Sequence, residues 1–245
     1  MSIRYLNCAS MSPWFPRWHI GTPCLLVDTD QGLVLVDTGL GLHDYESPSG
    51  LVQFYQADLG IHHTPEETAL RRVERMGIPP QDVRHIVLTH LHFDHAGGLP
   101  DFPWASVHLH RREVESFRHP KTWVERFAYD RKDAAHQPNW VLYDQPTENW
   151  LGFEAIPLPF SPQMYLIPLF GHTSGHCGVA IRDGEGWVLQ AADALPTNAE
   201  FNLTPMWVNR LVIGSHVPRL QAFSATHPEV RLLAGHMWRE FFGED

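Results

Sequence analysis

Cysteine is scarce in this 245-residue chain: Cys8, Cys24 and Cys177 are widely spaced and form no Cys-x-x-Cys pair. That excludes a disulfide framework and a thiolate zinc site, and free thiols suit a reducing compartment. Lysine and arginine are also few, 18 against 28 acidic residues for a net charge of −10. A phosphate-backbone partner needs a basic footprint, so no nucleic acid is expected. Hydrophobic residues reach 43% without any run of about eighteen apolar residues, so no membrane span is expected. The opening residues Met1 to Cys8 enter a strand pattern at once and lack a long apolar core, so the expectation is a cytoplasmic protein. Asn202-Leu203-Thr204 matches a glycosylation acceptor, which is idle without secretion. No close internal repeat is visible. The length suffices to bury a substantial core, and one domain over 1–245 is expected.

Histidine, in contrast, is plentiful at 17 residues, and four potential ligands crowd into Thr89-His90-Leu91-His92-Phe93-Asp94-His95-Ala96-Gly97-Gly98. The preceding Arg84-His85-Ile86-Val87-Leu88-Thr89 is a β-branched, apolar run of the kind covered on both faces in an α/β protein. Ligands placed just beyond such a strand lie on an irregular loop at a rigid sheet edge, where they can converge on one point. One histidine in a loop is usually a surface residue. His-x-His-x-Asp-His is a metal-binding pattern, since catalytic sites need several clustered N and O donors and neutral imidazole binds through one ring nitrogen.

His90-x-His92-x-Asp94-His95, after a strand and before Ala96-Gly97-Gly98, resembles the signature of the metallo-β-lactamase superfamily. Within it, His-Leu-His-Phe-Asp-His-Ala-Gly-Gly is most similar to the N-acyl homoserine lactonases. The resemblance implies an α/β protein, a four-layer αβ/βα sandwich with metals at one edge. It extends to Asp37-Thr38-Gly39, Gly171-His172-Thr173-Ser174-Gly175-His176, Asp193 at the end of an apolar strand, and Gly235-His236. By that likeness His90, His92 and His172 surround one metal, Asp94, His95 and His236 another, and Asp193 lies between them. His176 and Asp37 then orient ligands without binding metal themselves. Two departures stand out: Met237 follows His236 where the lactonases usually carry Asp, and no Tyr follows Asp193 in Ala194-Leu195-Pro196-Thr197-Asn198. The first predicts a missing contact to the last histidine.

The implied chemistry is a hydrolase in which two divalent ions, zinc by default with iron, manganese or cobalt also suited to the ligands, activate a bridging hydroxide to open a lactone or cleave a related ester. Asp94 is the expected catalytic group, passing a proton to the leaving group. Trp- and Phe-rich segments favour a small-molecule substrate with an apolar acyl or aromatic part. Phosphoester, thioester and β-lactam hydrolysis, and a metal-binding sensor without turnover, are the competing readings. The glyoxalase II variety is disfavoured by the few residues after His236, and the β-lactamases generally lack a bridging Asp at the position of Asp193. Oligomeric state is left open.

Along the chain, strands are expected at Cys24 to Asp28 and Leu33 to Asp37 around a Thr29 to Gly32 hairpin turn, after a Pro- and Trp-rich connection through Met11 to Trp18. Residues 40–63 read as an irregular loop near the site entrance. Thr64-Pro65-Glu66-Glu67 has the makings of a helix start with a capping box, and Gly77 of its end. Ser106 to His110 reads as a strand followed by a short helix to Phe117, and His108 and His110 share one face as a possible but carboxylate-free ligand pair. Residues 119–150 are expected to supply a lid, with Trp123, Phe127, Tyr129, Trp140 and Tyr143 near substrate. Four more strands follow between Phe153 and Ala192, and Cys177 is expected to start a strand.

Overall fold

The computed structural model describes residues 1–13, 19–195 and 216–242, without the side chains at 124 and 238–240. Two mixed β-sheets face each other with helices outside, the four-layer sandwich that the sequence implied. The first sheet runs in the order β1 (Ile3–Met11), β2 (Ile20–Thr29), β3 (Gly32–Val36), β4 (Val83–Val87), β5 (Ser106–His110) and β6 (Asn139–Tyr143). The second runs in the reverse order from β7 (Glu148–Trp150) through β8 (Phe153–Pro157), β9 (Met164–Pro168), β10 (Cys177–Asp183) and β11 (Gly186–Gln190) to β12 (Val230–Leu233), while β13 (Met237–Trp238) returns to β2.

Period-two alternation decides which side chains enter which layer. Leu25, Val27, Val34, Val36 and Val87 point between the sheets, where they meet Leu166, Val179, Ile181 and Leu189. Their neighbours Cys24, Leu26, Leu35 and Ile86 point outward to Val73, Val114 and Phe117 of α3 (Ala69–Arg75) and α5 (Arg111–Arg118). Because both faces are covered at residues 24–27, 34–36 and 86–87, those stretches read as unbroken apolar runs instead of alternating ones.

Strand direction places every candidate ligand loop at one edge. β3, β4 and β5 are parallel, as are β11 and β12, so Asp37, the 88–98 loop, Asp193 and His236 all follow carboxyl ends. β10 is antiparallel to β11, so the residues leading into it, including His172, come to that same edge. A backbone bond from Cys177 N–H to Thr89 O, 2.9 Å, ties the two ligand loops together across the sheets.

Two local expectations are corrected. Residues 40–63 contain α1 (Leu42–Glu46) and α2 (Gly50–Asp58), the latter capped by Ser49. Both are short and only Val52 of α2 is fully buried, so no long apolar stripe marked them. The helix expected from Thr64 begins later, at Ala69 with Thr68 as cap, after a single tight turn at Pro65–Glu67. Glu67 does not reach back to close a capping box. Its carboxylate accepts from the Thr64 hydroxyl at 2.9 Å and from Ser10 of β1 at 2.9 Å. Gly77, at φ +72°, ends the helix as expected.

The 119–150 segment divides into α6 (Trp123–Ala128), a turn at Arg131–Ala134, and the edge strands β6 and β7. Helix α7 (Val217–Thr226) packs Leu220 and Phe223 into the inter-sheet cluster. Trp14 to Trp18 of the early connection, Pro196 to Asn198 after Asp193, and the Asn202 sequon lie outside the described residues.

Candidate metal centre

The 88–98 loop leaves β4 and turns immediately into α4 (Phe93–Ala96), a single helical turn. His90 and His92 therefore precede the turn while Asp94 and His95 lie within it, and all four side chains are buried. One donor atom from each of His90, His92, His172 and Asp193 lies within 4.8 Å of the others, and Asp94, His95 and His236 form a second such group. The Asp193 carboxylate faces both: Oδ2 is 3.2 Å from His172 Nε2 and Oδ1 is 3.3 Å from His95 Nε2. Asp94 Oδ2 stands 3.4 Å from His236 Nε2. The structure thus brings together all seven residues singled out in the sequence.

The inner ring nitrogens are fixed from behind. Asp37, at φ +54°, accepts from Thr89 N–H at 2.8 Å and from the Thr89 hydroxyl at 2.9 Å, and its Oδ2 lies 3.0 Å from His95 Nδ1. Since a carboxylate only accepts, His95 carries a proton on Nδ1 and directs Nε2 inward. The Thr89 hydroxyl, having given its one proton to Asp37, accepts from His90 Nδ1 at 3.0 Å. The contact expected to be missing at His236 is supplied from β2 by Thr22 Oγ1, 3.4 Å from Nδ1.

As a result, Nε2 of His90 and His95 and Oδ1 of Asp193 are buried without a hydrogen-bond partner, while His92 brings Nδ1 to 2.9 Å from His172 Nε2. Three orphaned polar atoms within the two donor groups are costly unless a cation satisfies them, so the residues present fit metal. Burial, with the neighbouring His95, pushes His90 well below its ordinary pKa; burial and His172 do the same to His92. Both are neutral imidazoles, the form that ligates. At His95 burial opposes the charge, yet Asp94 and Asp193 hold its pKa well above the ordinary value. Burial opposes ionisation of Asp193 too, and is outweighed by His95 and His172, which hold it well below the usual carboxylate range.

Backbone strain accompanies these positions. Ala192, at φ +45°, turns the chain so that Asp193 points inward. Gly235 is required because a Cβ there would collide with the Asp193 carboxylate. His176 lies 4.9 Å ring to ring from His90 and packs behind it, outside both donor groups. His108 and His110 are not brought together as ligands. His108 bonds to His85 at 3.0 Å and to the Tyr143 hydroxyl at 2.8 Å, while His110 bonds to Asp144 O and accepts from Arg112 N–H at the start of α5.

A buried carboxylate behind the ligand loops escaped the sequence reading. Glu113, on α5 and fully buried, accepts from Leu91 N–H and the Tyr129 hydroxyl, both at 2.9 Å, from the Thr173 hydroxyl at 2.6 Å and from Gly175 N–H at 3.1 Å. One carboxylate thus locks the His90/His92 loop to the His172 loop. A glutamate near a helix start normally reads as a solvated charge favoured by the helix dipole. Gly175 is needed here, since a Cβ would strike the backbone at Glu113. Of the aromatic residues expected near substrate, Tyr129 lies beside His92, 5.3 Å between rings, but its hydroxyl is committed to Glu113. Trp123 and Phe127 are exposed, and Trp140 and Tyr143 pack into the cores.

A family model for the metallo-beta-lactamase superfamily matches residues 19–225. A probable metallo-hydrolase of Mycobacterium tuberculosis is 41% identical over 198 residues, which cover 79% of this chain and 62% of that protein. The N-acyl homoserine lactonase of Bacillus thuringiensis subsp. kurstaki is 29% identical over 181 residues, covering 73% of this chain and 65% of that protein. The match thus spans less than two thirds of the length of either relative. A structure of an N-acyl homoserine lactone hydrolase with its product, N-hexanoyl-L-homoserine, at the catalytic metal centre superimposes with a TM-score of 0.73 at 21% identity, covering 100% of this chain and 98% of that one. With the fold, the ligand loops and the matched family model in agreement, the chain belongs to the metallo-beta-lactamase superfamily.

Proposed function

We propose that this chain is a metal-dependent hydrolase holding two divalent ions, zinc by default, and acting on lactones or related esters with an apolar acyl part. The observation that carries the reading is the two-sided carboxylate of Asp193, which faces the buried, unpartnered Nε2 of His95 on one side and His172 Nε2, itself 2.9 Å from His92 Nδ1, on the other. His90, His92 and His172 would hold one ion and Asp94, His95 and His236 the other, with Asp193 shared. Such ions, when bound, lower the pKa of water toward about 7 and polarise the carbonyl under attack.

The chain's own residues supply the rest. Asp37 and Thr89 keep the ligand rings in one orientation, and Glu113 keeps the two loops in register. Asp94 turns Oδ2 toward His236, and its carboxylate carries the proton from attacking water to the leaving alkoxide. A path of aromatic rings leads from the surface to the ligand turn: exposed Phe54 contacts Tyr55 at 5.3 Å, and Tyr55 stacks on Phe93 at 4.9 Å. That path suits an apolar acyl chain, since large rings offer much area at little entropy cost. The lactonase relatives support the choice of lactone among esters.

The test compares catalytic efficiency of one metal-loaded preparation on long-chain lactones, aryl esters, thioesters, phosphotriesters and β-lactams, with Asp193→Ala alongside. Long-chain lactones should lead, and Asp193→Ala should lower both metal content and turnover. Preference for a phosphotriester or β-lactam would overturn the substrate assignment. Lack of metal-dependent turnover on the whole panel would overturn the hydrolase.

A further inference from the structure

A third cluster of donors lies apart from the two groups above, where α1 meets the turn at Arg131–Ala134. His43 Nε2 is 3.3 Å from Asp44 Oδ1 and 3.3 Å from Asp133 Oδ1. Asp44 and Asp133 are 0% and 1% exposed, so neither charge is solvated. The atoms are close without being bonded to one another. Both His43 ring nitrogens, Asp44 Oδ1 and both Asp133 oxygens are buried with no hydrogen-bond partner among the described residues. The second Asp44 oxygen is already used, accepting from Gly41 N–H at 2.8 Å.

An imidazolium between two acids would aim an N–H at one of them, which these angles do not provide, and it would balance only one of the two charges. Asp130 Oδ2, buried and likewise unpartnered, adds to the excess. Donors about 2.1 Å from one tetrahedral ion are about 3.4 Å apart, close to the spacing seen. We infer that His43, Asp44 and Asp133 bind one divalent transition ion, of the zinc or manganese class that one imidazole and two carboxylates select. This ion would pin α1 to the turn at Arg131–Ala134, upstream of β6. Burial, and then Asp133, lifts Asp44 to about 7, while burial and then Asp130 push Asp133 well above its ordinary value. In the absence of a cation the pair retains a proton, which the ion would replace.

The experiment is elemental analysis of zinc-replete, gel-filtered protein in two backgrounds, wild type and Asp193→Ala/His172→Ala, each with and without Asp133→Asn. Asp133→Asn should remove one zinc per chain in both backgrounds. Because the loss is read as a difference, it holds or fails independently of how many ions the main centre takes. Unchanged zinc content in both would overturn the site and leave a protonated acid pair. Should Asp133→Asn fail to fold, zinc-edge anomalous diffraction from wild-type crystals decides: a peak within bonding distance of His43 Nε2 and Asp133 supports the site, and its absence overturns it.

Discussion

Replacing Glu113 by Gln changes one atom of a carboxylate that four donors share. Whichever way the amide is turned, its NH2 must face one backbone N–H, Leu91 on one side or Gly175 on the other. The hydroxyl of Tyr129 or Thr173 can rotate to accept, but a backbone N–H cannot. The substitution therefore loses one hydrogen bond to a charged acceptor, about 1.5–3 kcal/mol, and leaves a buried donor unsatisfied, about 1–3 kcal/mol. Removal of a buried charge offsets part of this, since burial raises the Glu113 pKa above its ordinary value. A net loss of about 2–4 kcal/mol follows. For a domain of this size each kcal/mol moves the melting temperature by about 2–4 °C, so metal-free Glu113→Gln should melt about 4–16 °C below wild type.

The same substitution should loosen the centre, because Leu91 lies between His90 and His92 while Thr173 and Gly175 follow His172. His172 Nε2 and His92 Nδ1 are 2.9 Å apart only while the two loops are held together. Zinc affinity should fall by roughly ten- to a hundredfold, the usual cost of losing a group that orients ligands. The assay is thermal unfolding of chelator-treated protein followed by circular dichroism, then competitive zinc titration. Glu115→Gln is the control, an exposed carboxylate on the same helix that should shift stability by no more than about 0.5 kcal/mol. A Glu113→Gln protein that melts within about 1 °C of wild type and binds zinc equally well would refute the locking role.

Asp37→Ala should weaken zinc affinity by about ten- to a hundredfold, because His95 Nδ1 and Thr89 both lose their acceptor; an unchanged competitive titration would reduce Asp37 to a turn residue. Glu125, buried and accepting from Lys121, Thr122 and Ser174, gives a pH-dependent prediction. Burial opposes its ionisation, but the neighbouring Ser116 hydroxyl and hydrogen bonds from Ser174 and the helix start lower its pKa to about 2 from the ordinary 4.5. The folded state then binds the proton less well than the unfolded chain, so this contribution is full above about pH 4.5 and is lost as pH falls toward about 2. Glu125→Gln should accordingly be about 2 kcal/mol less stable at neutral pH, with the gap closing below about pH 4.5 in denaturant titrations; a pH-independent gap would contradict the assignment.

The architecture and the clustered candidate ligands were legible in the sequence for one physical reason. Strand ends at a shared edge place ligands at short, regular offsets, so His90 to His95, His172, Asp193 and His236 each announce themselves beside an apolar run. The hairpin at Thr29 to Gly32 was equally visible because its turn chemistry is local. What escaped was long-range. Glu113 acts on Leu91, 22 residues away, and on Gly175, 62 residues away, and nothing in Arg111-Arg112-Glu113 distinguishes it from a solvated helix charge. Thr22 reaches His236 across 214 residues and stands in for the aspartate that Met237 replaces. Helices α1 and α2 were missed because they carry too little buried apolar surface to impose a period.

These gaps share a cause that bears on how the fold and the centre depend on each other. Each sheet supplies part of each donor group: His90 and His92 come from the first sheet, His172 and Asp193 from the second, and the other group pairs Asp94 and His95 with His236. The inter-sheet core holds the layers face to face, but apolar contacts are tolerant of small slides, whereas donor atoms need placement within about half an ångström. That precision comes from directional bonds crossing between the sheets at the ligand edge: Cys177 N–H to Thr89 O, Glu113 to both loops, and Thr22 to His236. Every one of them joins residues distant in sequence. The parts of the centre that set its geometry are therefore those a linear motif is least able to display, while the candidate ligands are those it displays best.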